Sequence, residues 1–418
     1  MKWGTANLRQ LSVLGPQYGA NAGAIEWSGK RPRYIRITDI RADGQLLVDG
    51  AVEADLADEN EFKLEDGDLL FARSGNTVGK TYRYNKIDGP SVFAGYLIRF
   101  RLNRDLVDSR YVFFYTQSAD YKQWLLRKRR VGGQPNVNGA EYASLVLPLA
   151  PVSEQKRIVE LLEQANSLRR QRIEADGLAD RILPALFRRM FGDPLTNTKN
   201  WGVKTIGELC EVSRGASPRP ITDYMGGSVP WIKIGDGSSS GPYLSSTAEF
   251  VTEEGAEKSF FVPPGSLIVA NSGVSCGFAR ILKISGCIHD GWLALLNICK
   301  DVEPLYLLAF INLMTLELRR RAPGGTQPNL NTALMKSVKL PLPPLTLQES
   351  FSKKFAELFT LRTQQQDAAN SIESLFATML HRAFTGELTA KWREAHLKEL
   401  LVEMEHQAKL LRTAAQTN

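Results

Sequence analysis

The sequence predicts an α+β fold, in which two related α/β domains are separated by an antiparallel pair of long, coiled-coil-like helices. Three observations support this prediction. The chain contains two similar repeats. Each repeat opens with a glycine-rich segment of short strand patterns, called its front here (1–150 and 194–344), and each closes with a long helical pattern. Two similar halves in one polypeptide imply a pseudo-two-fold molecule, which suits a partner that has two similar halves of its own.

The repeat is visible in short motifs that return in the same order. QPNVN at 134–138 returns as QPNLN at 327–331, and the Ser-Gly turn at 74–79 returns at 272–277. A chain of 418 residues exceeds one ordinary domain, so the repeat places the boundary near the middle. The predicted regions are a first domain at 1–150, a helical region at 151–193, a second domain at 194–344, and a helical region with a charged helical tail at 345–418.

Each front combines strand patterns, separated by glycine and other turn residues, with one helix. The predicted strands are Tyr34 to Thr38, Asp68 to Ala72 and Tyr96 to Phe100 in the first front, and Trp231 to Ile234, Ser266 to Ala270 and Trp292 to Ile298 in the second. The predicted helices are Ser109 to Arg130 and Glu303 to Arg321. This repeated order is what makes the two fronts copies of one domain type.

Each long helix follows a proline-marked exit from its front, at 147–151 and at 340–344, with Ser153 and Thr346 as expected N-caps. Apolar side chains then recur at steps of three, four and seven along one face. They include Ile158, Leu162 and Leu168 in the first helix and Phe351, Phe355 and Leu361 in the second. The matching faces favour antiparallel pairing of the two helices. The alternative is that each helix packs only on its own front.

Composition is that of a folded protein, with 43% hydrophobic and 23% charged residues. The longest apolar run, Leu305 to Ile311, is too short to cross a bilayer, and no apolar signal segment follows Met1, so we expect a cytoplasmic protein with no membrane partner. Four cysteines make no disulfide framework. The net charge of +7 favours a polyanionic partner without requiring one.

The sequence contains no complete motif for catalysis or metal binding. The stretch from Ser74 to Thr81 resembles a phosphate loop, but Ser74 stands where the first glycine is needed, and a strand pattern follows where that loop requires a helix. Cys287 and His289 lack a second pair of ligands at metal-binding spacing. The chain also lacks the Asn/Asp-Pro-Pro-Tyr/Phe loop of an adenine methyltransferase and the Pro-Asp start of a common nuclease motif. We therefore expect a binding protein with no catalytic and no metal-binding residues.

The residues expected to contact DNA are clustered cations and amides at equivalent places in the two halves. Cations before a glycine pair suit phosphates, and the amides of the Gln-Pro-Asn-x-Asn segments could reach base edges. The full set is Arg73, Lys80, Lys122, Arg127, Lys128, Arg129, Arg130, Gln134, Asn136 and Asn138 in the first half, and Asn271, Arg280, Arg319, Arg320, Arg321, Gln327, Asn329 and Asn331 in the second. Two plainer interpretations stay open: charge runs are often solvated helix faces, and asparagines often cap turns.

These motifs together resemble the specificity subunit of type I restriction–modification enzymes. The resemblance rests on the Ser-Gly-x-x-x-Gly turns, the Gln-Pro-Asn-x-Asn segments, the Leu-Pro-Leu entries into long helices, and the junction at 189–194 that is answered at 383–388. It covers almost the whole chain in the order of the family. The tail from about Lys391 has no counterpart in the first half, and could extend the helical coil or dock a modification subunit.

The resemblance implies a non-catalytic subunit of a complex that defends the host against foreign DNA. Its two target recognition domains would each read one half of a bipartite, asymmetric sequence in double-stranded DNA, and the helices would set the gap between the halves. Two modification subunits, which carry S-adenosylmethionine and methylate adenine, and restriction subunits, which use ATP and Mg, would be its partners. This chain itself would bind no cofactor. The rival hypotheses are an enzyme with a hidden site and a scaffold whose fronts bind only protein.

Overall fold

A computed structural model describes residues 3–128, 135–238, 241–322 and 329–417. The chain forms two compact units. Unit 1 comprises residues 1–172 and 369–418, and unit 2 comprises residues 173–368. Each unit therefore contains one front and parts of both long helices.

In the described chain, unit 1 contains ten strands, three short helices and parts of two long ones, together with two helices of the C-terminal tail. The strands are β1 (Gly4–Asn7), β2 (Ser12–Tyr18), β3 (Ala24–Glu26), β4 (Arg33–Ile35), β5 (Val52–Ala54), β6 (Leu69–Ala72), β7 (Thr81–Arg83), β8 (Ser91–Phe93), β9 (Leu97–Leu102) and β10 (Val146–Leu149). The helices are α1 (Ser109–Tyr115), α2 (Ala119–Lys128), α3 (Gly139–Ala143) and the first part of α4 (Val152–Phe191).

Unit 2 follows the same order with a few additions. Its strands are β11 (Gly202–Thr205), β12 (Glu211–Arg214), β13 (Met225–Ile232), β14 (Tyr243–Leu244), β15 (Glu249–Val251), β16 (Phe260–Val262), β17 (Leu267–Ala270), β18 (Ala279–Leu282), β19 (Gly286–Ile288), β20 (Trp292–Leu296) and β21 (Lys339–Leu342). Its helices are α5 (Ile206–Leu209), α6 (Ile234–Ser238), α7 (Glu253–Glu257), α8 (Pro304–Leu313), α9 (Thr315–Arg321), α10 (Thr332–Ser337) and the first part of α11 (Leu345–Thr385). The later part of α11, with α12 (Ala390–Ala395) and α13 (Leu397–Thr417), belongs to unit 1.

The central sheet of each front has the same strand order. In unit 1 it runs β2-β9-β6-β7, and in unit 2 it runs β12-β20-β17-β18 with β14 added at the edge. Each front also holds a second, four-stranded sheet, β3-β5-β4-β8 or β15-β13-β19-β16. The central sheets are equivalent, and the second sheets share a three-stranded part, β5-β4-β8 and β15-β13-β19, with the fourth strand added at opposite edges. These repeated sheets confirm the predicted α+β class with a repeated domain.

The Leu-Pro-Leu segments close each front as a two-stranded pair. Thr5 lies opposite Pro148 in the pair of β1 with β10, and Val203 lies opposite Pro341 in the pair of β11 with β21. Proline is tolerated because these strands pair on one side only. The pairs bring the start of each front next to the start of a long helix.

The two long helices run antiparallel within each unit. In unit 1, Arg169 pairs with Glu373 at 2.7 Å, while the earlier Glu154 bonds to the later Thr389. In unit 2, Asp180 pairs with Arg362, and Phe191 packs on Phe351 with ring centroids 5.2 Å apart. The preferred antiparallel pairing is therefore confirmed.

In each unit, the long helices also pack on the front. Helix-to-helix packing and helix-to-front packing, which were given as alternatives from the sequence, therefore occur together. Ile158 and Leu162 share the core of unit 1 with Tyr111 of α1, and Phe351 and Phe355 share the core of unit 2 with residues of α8. Helical patterns in the sequence thus mark two buried faces: one toward the other helix and one toward the front.

Four local expectations need correction. The helices start at Val152 and Leu345, so Ser153 and Thr346 lie inside the first turns and are not N-caps. The helix expected from Ser109 is broken between α1 and α2, where Ser118 accepts a hydrogen bond from the amide of Tyr121. The helix expected from Glu303 is likewise broken between α8 and α9. Leu168 and Leu361, expected in the apolar seam, are 61% and 54% exposed.

The tail folds back on unit 1. In α13, Leu400 is fully buried and Gln407 is 3% exposed, while Leu410 and Leu411 pack on the core of the unit. No helix in the described parts of the chain is long and apolar enough to cross a membrane.

Candidate nucleic-acid interface

In unit 1, the Ser-Gly turn and the Pro-Asn-x-Asn segment lie side by side. Ser74 and Asn136 form an isolated antiparallel bridge. The amide of Gly75 donates to the carbonyl of Pro135 at 3.0 Å, and that of Val137 donates to the carbonyl of Arg73 at 2.9 Å. Two motifs that are separate in sequence therefore form one surface at the end of β6.

Unit 2 repeats this arrangement with different residues. Ser272 and Asn329 form the equivalent bridge, and the amide of Leu330 donates to the carbonyl of Asn271 at 2.7 Å. The turn glycines have almost the same left-handed conformation, with φ of 67° at Gly75 and 69° at Gly273. Residues with a Cβ rarely adopt this conformation, which explains why glycine recurs at these two positions.

The turn connects two antiparallel strands in each unit. After Ser74 and its glycines the chain continues as β7, which pairs with β6, and after Ser272 it continues as β18, which pairs with β17. A phosphate loop would continue as a helix, whose N-terminus holds the phosphates. The turn is therefore a strand connection, as the sequence indicated.

The second asparagine of each segment caps a helix. Asn138 accepts a hydrogen bond from the amide of Glu141 at 2.9 Å and completes a capping box with it. Asn331 accepts from the amide of Leu334 at 2.8 Å. Both side chains therefore act as helix caps. Their oxygens are used in the caps, and only their NH2 groups remain to bond a base. By contrast, Asn136 and Asn329 are exposed.

Arg73 lies beside this surface on an aromatic platform. Its guanidinium carbon is 4.9 Å from the centre of the Tyr18 ring, and its amide bonds to the carbonyl of Tyr96 at 3.0 Å. Both tyrosines are substantially exposed, and the hydroxyl of Tyr18 accepts a hydrogen bond from the amide of Gly139 at 3.0 Å. Such a surface offers both a cation and stacking rings.

The other cations of unit 1 differ in availability. The ammonium of Lys80 donates to the carbonyl of Ile40 at 2.7 Å, so it is held by the protein. Lys122 and Arg127 are exposed on α2, and the ammonium of Lys128 lies 5.9 Å from the centre of the Trp124 ring. The exposed cations of α2 therefore fit a phosphate contact better than Lys80 does.

Two predicted residues of unit 2 are engaged in the protein interior. Asn271 is 1% exposed, and its side-chain NH2 donates to the carbonyl of Asp290 at 2.9 Å. Arg280 donates through Nε to the carbonyl of Gly237 at 2.9 Å and lies over the Phe278 ring. Both side chains hold the domain together and are not presented to a duplex in this structure.

The three arginines of α9 are tied to nearby acceptors. Arg319 donates through Nε to the carbonyl of Cys276 at 2.7 Å. Arg320 and Arg321 share the carboxylate of Glu317, although their side chains are 76% and 51% exposed. The hydrogen bond from Arg321 lowers the pKa of Glu317, so this carboxylate stays ionised beside them. Arg129, Arg130, Gln134 and Gln327 lie outside the described residues.

The sequence reasoning missed Tyr18 and Arg214. Both lie in strands that the strand patterns did not predict, and their positions beside the turns depend on how β2 and β12 pair with the sheet. The Gly-Ala pair that follows each of them, at 19–20 and at 215–216, was the sequence signal that could have aligned the two positions. Among the described residues there is no group of three or more side chains placed to hold a metal ion.

Comparison with known proteins follows the repeat. Residues 15–175 and 198–373 each match the model of the type I restriction modification DNA specificity domain. The type I restriction enzyme MjaVIII specificity subunit of Methanocaldococcus jannaschii is 19% identical over 353 residues, 79% of this chain and 81% of that protein. The EcoKI specificity subunit of Escherichia coli is 27% identical over 178 residues, 40% of this chain and 38% of that protein.

Solved structures share the fold at low sequence identity. A chain from a study of complex assembly and conformational transition of the type I R-M system superposes with a TM-score of 0.57 at 18% identity, covering 93% of this chain and 98% of that one. The S subunit of a type I restriction–modification system from M. genitalium gives a TM-score of 0.54 at 15% identity, covering 91% and 96%. These likenesses support the architecture described above.

Proposed function

Because this chain belongs to the family of type I restriction–modification DNA specificity subunits, we propose that its two fronts read the two halves of a bipartite, asymmetric duplex target. The family supplies DNA sequence specificity and is non-catalytic. The finer assignment, one half-site for each front, is our proposal.

One observation carries the proposal: the two units share a main-chain frame and differ in the side chains around it. The bridges of Ser74 with Asn136 and of Ser272 with Asn329 are equivalent. Beside them, unit 1 presents Arg73 and unit 2 has the buried Asn271. A constant frame with variable side chains is what two readers of different base sequences require, since base edges are distinguished by side-chain donors and acceptors.

The long helices are proposed to set the gap between the half-sites and to dock two modification subunits. Apolar side chains are exposed on both helices in unit 1, where Leu168 and Leu375 are each 61% exposed. They lie next to Arg169 and Glu373, which pair across the two helices, and exposed apolar side chains grouped in this way would suit a protein partner. In this proposal the modification subunits hold S-adenosylmethionine, the restriction subunits use ATP and Mg, and the assembly acts in the cytoplasm.

The test is an exchange of residues 1–150 for those of another family member, followed by sequencing of methylated sites in a host that carries the partner subunits. We expect one half of the methylated sequence to change and the other half and the gap to be retained. Exchange of residues 194–344 is the matched control and should change the opposite half. If either exchange altered both halves, the fronts would not be independent readers.

A protein that only scaffolds its partners would give a different result. The complete complex would then methylate or bind duplexes without a preferred sequence, and neither exchange would matter. An enzyme with a hidden site would transfer methyl groups or hydrolyse ATP as the purified chain alone. Assays of the complete complex and of the purified chain, carried out side by side, distinguish these outcomes.

A further inference from the structure

The pairing of the central sheets identifies equivalent positions in the two units. In unit 1, Ile98 of β9 lies opposite both Tyr18 of β2 and Phe71 of β6. In unit 2, Leu293 of β20 lies opposite both Arg214 of β12 and Val269 of β17. Tyr18 and Arg214 are therefore the same position of the repeated sheet, and each is followed by a Gly-Ala pair in the sequence.

A second pair of positions completes the comparison. Arg73 directly follows β6, and Asn271 directly follows β17. Unit 1 thus has tyrosine on the edge strand and arginine after the central strand. Unit 2 has arginine on the edge strand and asparagine after the central strand. Each unit thus has one arginine at this pair of positions. In unit 1 it is Arg73, which follows the central strand β6, and in unit 2 it is Arg214, on the edge strand β12.

Arg214 is exposed and partly anchored. Its Nε donates to the carbonyl of Asp290 at 3.0 Å, and the buried side chain of Asn271 donates to the same oxygen at 2.9 Å. Within the described parts of the chain, neither terminal nitrogen of Arg214 has a hydrogen-bond partner. The anchor fixes the guanidinium while its two terminal nitrogens remain free to donate.

The segment at 289–291, whose Asp290 carbonyl anchors Arg214, is held in place by further contacts of its side chains. The carboxylate of Asp290 accepts from the hydroxyl of Ser217 at 3.0 Å and lies 2.9 Å from Nε2 of His289 and 3.6 Å from the guanidinium of Arg219. Nδ1 of His289 accepts from the amide of Gly291 at 2.9 Å, so Nε2 is the nitrogen that carries the proton. Burial lowers the pKa of His289, which keeps this ring neutral.

The charge around Arg214 also suits a duplex. Arg219 is 81% exposed, and Lys233 lies near enough to His289 to lower its pKa electrostatically. Lys233 also pairs with Glu249, and Arg219 with Asp290, so each cation has a carboxylate partner in the protein. Cations of this kind suit phosphate contacts, which leaves the anchored guanidinium of Arg214 for a base edge. The ligand that best matches two parallel donors in the major groove is guanine, through O6 and N7.

We propose that Arg214 reads a guanine in the half-site of the second front, in the place that Tyr18 and Arg73 share in the first. This inference rests on the proposed function and assigns a residue to it. Asn271, which the sequence pointed to, then acts as a positioning residue that shares the anchoring carbonyl with Arg214.

The experiment uses the complete complex with its modification subunits and two duplex libraries, each with one half-site randomised. The variants are Arg214→Ala, Arg214→Lys and Arg214→Tyr, the last because tyrosine is accommodated at the equivalent position of unit 1. Lys300→Ala is the control, an exposed cation beyond the opposite end of β20. Methylation rates for each library give the preference at every base pair.

We expect Arg214→Ala and Arg214→Tyr to reduce discrimination at one guanine-containing base pair by roughly 5- to 150-fold, the cost of one bidentate contact. Arg214→Lys should reduce it less, and Lys300→Ala should leave it unchanged. The other half-site should be read as before in every variant, which shows that the complex is folded.

Two outcomes would overturn the assignment. Unchanged preference in Arg214→Ala would show that another residue reads the base. An equal loss for all sequences would show that Arg214 contacts only phosphate. If the complex without substitutions had no preference in either library, the failure would lie with the proposed function and not with Arg214.

Discussion

The side-chain amides of Gln155 and Gln407 donate to the same two carbonyl oxygens. Gln155 lies 3.1 Å from the oxygen of Leu106 and 2.7 Å from that of Ala150, and Gln407 lies 2.9 Å and 3.2 Å from them. Gln155 also accepts from the amide of Asp108 at 2.8 Å. The C-terminal tail thereby joins the connection between the first front and its long helix.

Gln155→Ala should destabilise the protein more than Gln407→Ala. Loss of Gln407 leaves both carbonyls bonded to Gln155 and should cost about 1 kcal/mol. Loss of Gln155 also leaves the amide of Asp108 without its acceptor, for a total of about 2–3 kcal/mol. Denaturant midpoints and hydrogen exchange at Asp108 measure the two effects. Equal losses would mean that the tail amide carries as much of the connection as the helix amide does.

Gln348 provides the matched case in unit 2. Its NH2 donates to the carbonyls of Asp301 and Pro343, and it accepts from the amide of Glu303. Within the described residues no second side-chain amide donates to this pair of carbonyls. Gln348→Ala should therefore increase exchange at Glu303 at least as much as Gln155→Ala does at Asp108.

A second prediction concerns the buried ion pair between Glu154 and Arg393. Glu154 is fully buried and bonds Arg393 at 2.8 Å, Thr389 at 2.6 Å and Trp3 at 2.9 Å. Arg393→Leu should cost about 3–5 kcal/mol, because it leaves a buried carboxylate without its counter-ion. Thermal unfolding of the whole chain is the measurement.

The position equivalent to Glu154 in the second repeat is Leu347, which precedes Gln348 as Glu154 precedes Gln155. The double variant Glu154→Leu with Arg393→Leu should therefore recover at least half of the stability lost in Arg393→Leu. Stability losses that simply add would show that the carboxylate was not the source of the cost.

A third prediction concerns Glu317, which holds Arg320 and Arg321. Glu317→Gln removes one negative charge and releases two guanidinium groups, so the complex should bind duplexes of any sequence more tightly at low salt. The slope of log affinity against log salt should steepen by about 1 to 2. Glu254→Gln, which frees Lys258 in the same unit, is the control. An unchanged slope for Glu317→Gln would remove Arg320 and Arg321 from the predicted DNA contacts.

A fourth prediction concerns the proposed role of the helices in setting the gap. Since Arg169 of α4 faces Glu373 of α11, an insertion after Leu168 keeps the antiparallel register only if α11 is lengthened after Glu373. Seven residues in each helix, about 10 Å, should lengthen the unspecified gap by roughly three base pairs. Sequencing of methylated sites reads the gap directly. An unchanged gap, with both half-sites retained, would end this role.

The repeat, the sheet-forming segments and the turn glycines could be predicted because they depend on local pattern and backbone conformation. Gly75 and Gly273 recur because the turn needs φ above zero, and β6 and β17 are short apolar runs. The site side chains could not be predicted so well. Asn271 is buried, and its NH2 bonds to the carbonyl of Asp290, a partner 19 residues away that no local pattern indicates.

Arg214 was missed for a related reason. The Gly-Ala pair after Arg214 and after Tyr18 is too short a motif to establish the equivalence alone, and the pairing of each edge strand with the next strand, a long-range property, is what establishes it. Asn138 is different, because its cap is a local contact with Glu141 three residues later, and the capping interpretation was already open from the sequence. Sequence pattern located the surface, and the tertiary pairing decided which side chains face out from it.

The bridge between Ser74 and Asn136 is a pairing of main-chain segments, as is its counterpart at Ser272 and Asn329. Exposed side chains beside the bridges, such as Arg214, can therefore change without disturbing the fold of either unit, whereas the buried Asn271 cannot. If the proposed function is correct, a lineage that carries such a protein could acquire a new target sequence through a few point substitutions, or by exchanging one front with a relative. Target sequences could then diversify while the main-chain fold of the protein stays the same.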